Sequence, residues 1–383
     1  MTTPTSGPVR MSMIGGGLDA FIGGVHRMAS SLDGHFRLVS GVLSRDPDIA
    51  VKSGEAYGLD PSRAHTSLDA FLADESKRTA DKTELVSIVT PNHTHYAIAK
   101  ACLEAGINVL VEKPMTMTSG EAAELRDLAR AHNLACVVMY NYTGYPMVRE
   151  ARARIASGEI GTIRKIFVEY HQGWLSTKAE DAGVVQAEWR TDPAQAGLGG
   201  ALGDIGSHAE NLVSFLTGLT IESLCADLTS FVPGRALDDD ATVLLRFAEG
   251  PKGVLTASQI CAGEGNGLSV RIYGDKGGLR WRQQTPEYLE LLSLDGPTWT
   301  IARGGPGTGE VAEASGRIPV GHPEGFIEGF ANIYRGAAAL VRKQGGPLAE
   351  LVPDAEAGRR GVRFIELCVE SARAGSKWID AQG

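Results

Sequence analysis

The sequence has little that would commit it to a membrane, a nucleic acid or a metal. No apolar stretch approaches the ~20 residues that a membrane span needs, and residues 1–8 are short, polar and without the apolar core of a signal peptide. There is no run of lysine or arginine. With 37 basic against 46 acidic side chains the net charge is −9, which argues against a nucleic-acid-binding surface. The five cysteines (Cys102, Cys136, Cys225, Cys261 and Cys368) lie far apart with no C-x-x-C pair. That spacing favours reduced thiols and a cytoplasmic location, and disfavours a structural zinc site. No low-complexity block is present. What remains is an ordinary soluble composition, 43% hydrophobic and 22% charged, over 383 residues, a length that suits two domains.

The stretch that organises the chain is Asn-Val-Leu-Val-Glu-Lys-Pro at 108–114. Its apolar part reads as a short buried strand, stopped abruptly by Glu112, Lys113 and Pro114. Ligands of open α/β sheets bind at the carboxyl ends of the strands, so Lys113 is either presented to a ligand or solvated in a turn. Upstream, residues 9–14 read as an apolar strand, three glycines follow at 15–17, and a helical pattern runs over 21–32. Strand, glycine-rich turn and helix together let backbone N–H groups approach a pyrophosphate. Gly15 and Gly17 fit G-x-G-x-x-G. Ala20 holds the third glycine position, unless Gly23 takes it across a loop three residues longer.

Residues 36–43 read as the second strand. An NAD-binding domain usually carries an acid near its end, bonded to the ribose 2′-OH; here Ser44 and Arg45 stand in that place, and Asp46-Pro47 reads as the cap and first turn of a helix. A hydroxyl and a guanidinium suit a 2′-phosphate, so NADP is favoured over NAD. The alternation continues with a short helix over 67–72, a buried strand over 85–89 broken at Thr90-Pro-Asn-His93, a helix over 96–105, a capping box at Thr118 and Glu121, and a strand over 134–140. Repeated strand–helix units with apolar strands predict a parallel sheet covered on both faces, a doubly wound Rossmann domain over 1–142.

Over 143–383 the pattern shifts. Residues 163–170, 221–231, 241–247, 254–260 and 268–273 are strand-like with few helices between them, which predicts an α+β unit with an antiparallel or mixed sheet. One face of such a sheet needs a cover of helices or another subunit. Residues 304–325 read as a long ordered loop, and helices at about 326–342 and 354–374 close the domain. Within this half, Asp204 and His208 are four apart and share one face of a helix. A carboxylate beside an imidazole raises its basicity and sets its tautomer, which equips the pair to take a proton from an alcohol. Asp204 as a helix cap and His208 as a core histidine is the other reading. His93, His95 and His208 could suggest a metal, but no acidic ligand cluster accompanies them, and no metal is expected.

Taken in order, the glycine-rich turn, Thr90-Pro-Asn-His-Thr-His95, Glu112-Lys113-Pro114, Trp189-Arg190 and Asp204-x-x-x-His208 resemble the glucose–fructose oxidoreductase, inositol dehydrogenase and rhizopine-catabolism (Gfo/Idh/MocA) family. The resemblance covers nearly the whole chain. It implies an N-terminal Rossmann domain and a C-terminal α/β domain with a large, open, mostly antiparallel sheet that commonly mediates assembly, here into a homodimer or homotetramer. It implies NAD(P)-linked hydride transfer at a ring hydroxyl or ketone of a sugar, sugar derivative or cyclic polyol such as inositol. By the same resemblance Lys113, Asp204 and His208 are catalytic and touch substrate, and Trp189 and Arg190 lie close to the cofactor. Gly15, Gly17, Phe21, Ile22, Ser44, Arg45, Thr90, Asn92, His95, Glu112, Lys113 and Asn141 are the other cofactor candidates. Tyr142 stands where relatives often carry an arginine, and with Trp174 is a substrate candidate; Tyr140 and His171 are further aromatic candidates for a sugar pocket. Two rival functions share these motifs: a redox-neutral glycoside hydrolase or lyase that uses transient oxidation, and a catalytically silent sensor. Retention of Lys113, Asp204 and His208 weighs against the sensor.

Overall fold

The structure, a computed structural model, describes residues 7–18 and 20–381. The chain divides into two compact units. The first comprises residues 1–116, 120–144 and 326–359, the second residues 117–119, 145–325 and 360–383. Among the described residues no helix is long and apolar enough to cross a membrane.

In the first unit β1 (Val9–Gly15), β2 (Phe36–Val42), β3 (Leu85–Val89), β4 (Asn108–Val111) and β5 (Cys136–Val138) form a parallel sheet in the order β2-β1-β3-β4-β5. The apolar runs explain the arrangement. All five residues of β3 and all three of β5 are buried, as strands sandwiched between helix layers must be. Because the strands are parallel, their carboxyl ends share one edge. Most candidate residues of the first half lie at or just after a strand end on that edge: Gly15 closes β1 and Gly17 follows it, Ser44 and Arg45 follow β2, Thr90 and Asn92 β3, Glu112 and Lys113 β4, and Asn141 and Tyr142 β5.

The helix Phe326–Val341 belongs to this first unit, not to the second half as its position in the chain suggests. Phe330, Ile333, Tyr334 and Ala337 form its buried stripe and join Met11, Met13, Leu85 and Val137 in one core cluster. A parallel sheet needs helices on both faces, and a helical stripe at this spacing shows that a helix is covered on one side without showing which sheet covers it. The last long helix, Ala355–Arg373, starts in the first unit and belongs to the second from Arg360 onward.

The second unit is built on a nine-stranded sheet: β6 (Ile163–His171), β7 (Ile221–Thr229), β8 (Asp240–Phe247), β9 (Lys252–Ser258), β10 (Gly267–Gly274), β11 (Gly277–Arg282), β12 (Tyr288–Ser293), β13 (Trp299–Ala302) and β14 (Ile379–Asp380). The order is β13-β12-β11-β10-β6-β9-β8-β7-β14, and only β6 and β9 pair in parallel. Ile166, Val168 and Tyr170 of β6 are buried, while Lys165, Phe167, Glu169 and His171 alternate with them on a half-exposed face. The edge strands β13 and β14 escape a reading by alternation, because strands as short as Trp299–Ala302 bury no complete row of side chains; β11 and β12, which bury Leu279, Trp281 and Leu289, also lie outside the expected strands.

The glycine-rich segment expected as a loop over 304–325 contains a helix, Glu310–Ser315, and is held by one buried arginine. Arg303, 2% exposed, pairs with Glu287 at 2.9 Å and Glu324 at 3.2 Å, and donates to the Ile318 and His322 carbonyls at 2.8 and 2.6 Å. Removing one partner of such a buried pair leaves uncompensated charge and costs about 3–5 kcal/mol. Arg303→Ala is therefore expected to lower the melting temperature by several degrees, measured by scanning calorimetry; an unchanged transition would show that the segment does not depend on this anchor.

Candidate functional site

At the end of β1 the backbone turns through Gly15 and Gly16, at φ +82° and +75°, the left-handed region that favours glycine. A Cβ on Gly15 would lie 2.8 Å from Thr90 Cγ2 and 2.9 Å from the Val89 carbonyl, so the turn is pressed against the end of β3. The neighbours of β1 are β2 on one side and β3 on the other, so this is the point where the strand order reverses and where ligands of open α/β sheets bind. The helix Phe21–Ser31 follows. A Cβ on Gly23 would lie 2.3 Å from both Gly16 Cα and Gly16 O. Gly23, and not Ala20, therefore performs the third glycine's task of close helix–strand packing, three residues later than the usual spacing. The helix cap at Ala20 makes no side-chain hydrogen bond, and no acidic residue stands in the first turn. That leaves first-turn N–H groups and the positive end of the helix for an anionic group, and the residues present fit a dinucleotide pyrophosphate. Phe21 is exposed on this turn and Ile22 is half-buried.

After β2, the Ser44 hydroxyl accepts the Asp46 N–H at 3.1 Å, and one oxygen of Asp46 accepts from Asp48 and Ile49 as a helix cap. Arg45 is exposed beside them. After β3, the Thr90 hydroxyl accepts from Thr94 Oγ1 at 2.6 Å, and Asn92 is buried. His95 is placed differently from its expected role as a cofactor contact. It is wholly buried, with Nδ1 2.9 Å from the Pro114 carbonyl and Nε2 2.8 Å from the Thr90 carbonyl. Burial pulls its imidazole below the ordinary value, against the two carbonyls, which favour protonation. Its polar atoms are spent on the protein's own backbone, so it shapes the site rather than lining it. Asn141 and Tyr142 lie in a buried turn after β5, and Tyr140 is buried beside them.

Glu112 is also directed inward. Its Oε1 is 2.7 Å from His26 Nε2, and its Oε2 accepts the Lys113 N–H at 3.1 Å. Burial pushes this carboxyl up, but the hydrogen bond and charge of His26, with Lys113, outweigh it and leave it below the ordinary range. His26 was not singled out by the sequence; its only signal is its place one helical turn after Gly23.

In the second unit, Asp204 lies in a π-helical turn, Leu202–Gly206, that runs into the helix Ser207–Thr217 carrying His208. Such turns recur at functional sites. Asp204 does not cap this segment. Asp238 does, accepting the N–H groups of Gly200 and Leu202 at 2.7 Å each. Gly200 is required there: a Cβ would lie 2.1 Å from the Asp238 carbonyl. The Asp204 carboxylate is held at Oδ2 by Gln259 Nε2 at 2.9 Å and by Arg190 Nε at 3.3 Å. Gln259 also donates to Gln172 Oε1 at 3.2 Å, which accepts the Trp174 indole N–H at 2.9 Å. Gln172 in turn donates to Asn266 Oδ1 at 2.8 Å, an oxygen shared with the Tyr170 hydroxyl at 2.7 Å. His208, 7% exposed, packs its ring 6.2 Å from that of Tyr170.

Arg190, expected beside the cofactor, is thus brought to Asp204, and its guanidinium lies 4.2 Å over the Trp189 ring. Trp174, 38% exposed, joins the same polar cluster. His171 does not: it alternates to the other face of β6 and bonds Thr256 at 2.9 Å. Gln172, Gln259 and Asp238 carry no motif, because isolated amides and acids in strand ends look like ordinary polar positions until the sheet pairs them. Among the described residues no group of three or more His, Cys, Asp or Glu side chains is arranged to hold a metal ion.

Comparison with known proteins agrees with this architecture. Residues 9–151 match the family described as "Oxidoreductase family, NAD-binding Rossmann fold", and residues 148–280 match the "GFO/IDH/MocA C-terminal domain". The chain is 37% identical to the uncharacterized oxidoreductase YfiI of Bacillus subtilis, over 98% of this chain and 97% of that protein. Among solved structures, the inositol dehydrogenase homolog of Azotobacter vinelandii complexed with NAD+ superposes with a TM-score of 0.94 at 37% identity, covering 98% of both chains. An oxidoreductase from Sinorhizobium meliloti superposes at 0.88 with 44% identity, covering 98% of this chain and all of that one. With a dinucleotide turn closed by Gly16 against Gly23 and whole-length likeness to these proteins, the chain belongs to the Gfo/Idh/MocA family of NAD(P)-binding oxidoreductases.

Proposed function

We propose that the protein transfers hydride between NAD(P) and a ring carbon bearing a hydroxyl or ketone on a sugar, a sugar derivative or a cyclic polyol such as inositol. The observation that carries this reading is the likeness to the A. vinelandii homolog solved with NADH and myo-inositol, at a TM-score of 0.91 and 36% identity over 98% of both chains. The nicotinamide, when bound, supplies the hydride acceptor or donor. Three side chains manage the reacting oxygen and its proton. His208 takes the hydroxyl proton as the alcohol becomes a ketone and returns it in the reverse direction. Asp204, held by Arg190 and Gln259, offsets the charge that His208 gains. Lys113 donates a hydrogen bond to the reacting oxygen, and its charge favours a developing alkoxide. Trp174 and Tyr142 supply aromatic contacts to the ring. Thr90, Asn92, Asn141, Phe21 and Ile22 supply cofactor contacts. The test is a screen of cyclic polyols and sugars, beginning with myo-inositol, with NAD+ and NADP+, following reduced nicotinamide by absorbance. Turnover of at least one such compound is expected. Tightly held cofactor with no net reduction, but cleavage of a glycoside, would replace this reading by the redox-neutral one.

Ser44 and Arg45 favour NADP, whereas the A. vinelandii complexes hold NAD+ or NADH. If Arg45 pairs with a 2′-phosphate, Arg45→Ala raises the KM for NADP+ about tenfold, the worth of one charged hydrogen bond, and leaves that for NAD+ unchanged. Equal effects on both cofactors would remove Arg45 from nucleotide selection. The half-exposed face of the nine-stranded sheet suits assembly into a homodimer or homotetramer, checked by sedimentation. None of the five cysteines forms a disulfide, which supports a cytoplasmic setting.

A further inference from the structure

Two buried imidazoles grip the three residues that carry Lys113, one on each side. On the amino side, His26 Nε2 is 2.7 Å from Glu112 Oε1, and the other oxygen of Glu112 accepts the Lys113 N–H. His26 is itself held, its Nδ1 lying 2.7 Å from the Tyr334 hydroxyl, which is 2.9 Å from Ser87 Oγ. Burial pushes the Tyr334 phenol above its ordinary value, so it keeps its proton. One consistent chain then satisfies every group: Ser87 O–H to Tyr334, Tyr334 O–H to His26 Nδ1, His26 Nε2–H to Glu112, and Lys113 N–H to Glu112. On the carboxyl side, His95 joins the Pro114 carbonyl to the Thr90 carbonyl, 2.9 and 2.8 Å from its two nitrogens. Either neutral tautomer ties one of these turns, and the imidazolium ties both.

His26, His95 and Tyr334 are at most 1% exposed. Burying a carboxylate with an imidazole is weak as a source of stability, because desolvation opposes the attraction and packed apolar side chains serve as well. Such a network gives geometry: a fully satisfied polar cluster has one arrangement. The geometry lies beneath a lysine whose flexible stem does not orient its own ammonium.

We propose that His26 and His95 are positioning residues, a two-sided clamp that sets the backbone of Lys113 and so the place of its ammonium. The proposal rests on the catalytic reading of Lys113 given above. Its variants are His26→Leu and His95→Leu, which remove the polar ties, His26→Gln, whose amide restores a donor toward Glu112, and Tyr334→Phe, which removes only a hydroxyl. Folded sites are counted in each by NADH fluorescence titration, and turnover is expressed per site. The leucine variants are expected to lower kcat about 10- to 100-fold, the scale on which ångström misplacement acts, with KM for the polyol and the NADH Kd within about twofold. His26→Gln is expected to recover most of the loss, and Tyr334→Phe to lower kcat about 3- to 10-fold, one neutral hydrogen bond's worth.

Because the clamp acts through Lys113, the same substitutions made on Lys113→Ala are expected to cause no further loss of residual turnover. Unchanged kcat in the single variants, or losses that multiply on the Lys113→Ala background, would overturn the clamp while leaving the catalytic lysine in place. Wild-type turnover in Lys113→Ala itself would instead overturn the reading on which it rests. If the leucine variants do not fold, Tyr334→Phe, alone and on the Lys113→Ala background, decides the matter by the same criteria: a loss of about 3- to 10-fold that disappears on that background upholds the clamp, and an unchanged kcat or a loss that multiplies overturns it.

Discussion

Lys113→Ala and His208→Ala are each expected to lower turnover about 10²- to 10⁴-fold while NAD(P)H binding survives. A positioned general base supplies this range, and a cationic donor at a developing oxyanion supplies a similar factor. The two losses should differ in form. Without Lys113 the reacting oxygen loses a charged donor, so kcat falls at every pH. Without His208 the proton must leave to water, so activity returns in part as hydroxide concentration rises. Stopped-flow measurement of hydride transfer, with NADH binding followed by fluorescence, separates chemistry from affinity. Wild-type rates in either variant would exclude that residue from the mechanism. The surroundings support the assignment: Glu112 accepts the Lys113 backbone N–H, and Asp204, four residues before His208, is anchored by Arg190 and Gln259.

The second large effect is expected at Gly23. Gly23→Ala places a Cβ 2.3 Å from two backbone atoms of Gly16. Neither is the end of a flexible side chain, so the helix Phe21–Ser31 must move away from the glycine-rich turn. Overpacking of this kind costs about 1–3 kcal/mol, and the displaced first-turn N–H groups no longer meet a pyrophosphate. We expect NADH affinity to fall at least about tenfold and the melting temperature to fall with it. Gly24→Ala is the internal control. A Cβ there meets nothing within 4 Å, and alanine is favoured over glycine inside a helix by about 0.5–1 kcal/mol. That neighbour should be neutral or slightly stabilising and should bind NADH normally. Equal behaviour of the two variants would mean that the close approach of Gly16 and Gly23 has no part in holding the dinucleotide.

These two expectations differ in how much of each could be read from residues alone. Lys113 is legible because an apolar strand ends abruptly on it, and Asp204 and His208 because four-residue spacing puts both on one helical face. Gly23 is ambiguous in one dimension, since either it or Ala20 could fill the third glycine position. The ambiguity ends only when the helix is seen packed on Gly16.

Local pattern alone determined the five parallel strands, their glycine-rich turn, the strand-rich character of the second half and the strand ends that carry candidate chemistry, because each depends on periodicity or turn chemistry within about ten residues. Tertiary structure alone decided that Phe326–Val341 covers the first sheet, that Arg190 and Gln259 hold Asp204, that Asp238 caps the segment leading to His208, and that His26 and His95 grip the turn around Lys113. The hydrogen-bonded partners among these stand from 19 to 86 residues apart in the chain. Apolar periodicity says that a face is covered but not by what, and a lone polar residue acquires a role only when folding brings it a partner.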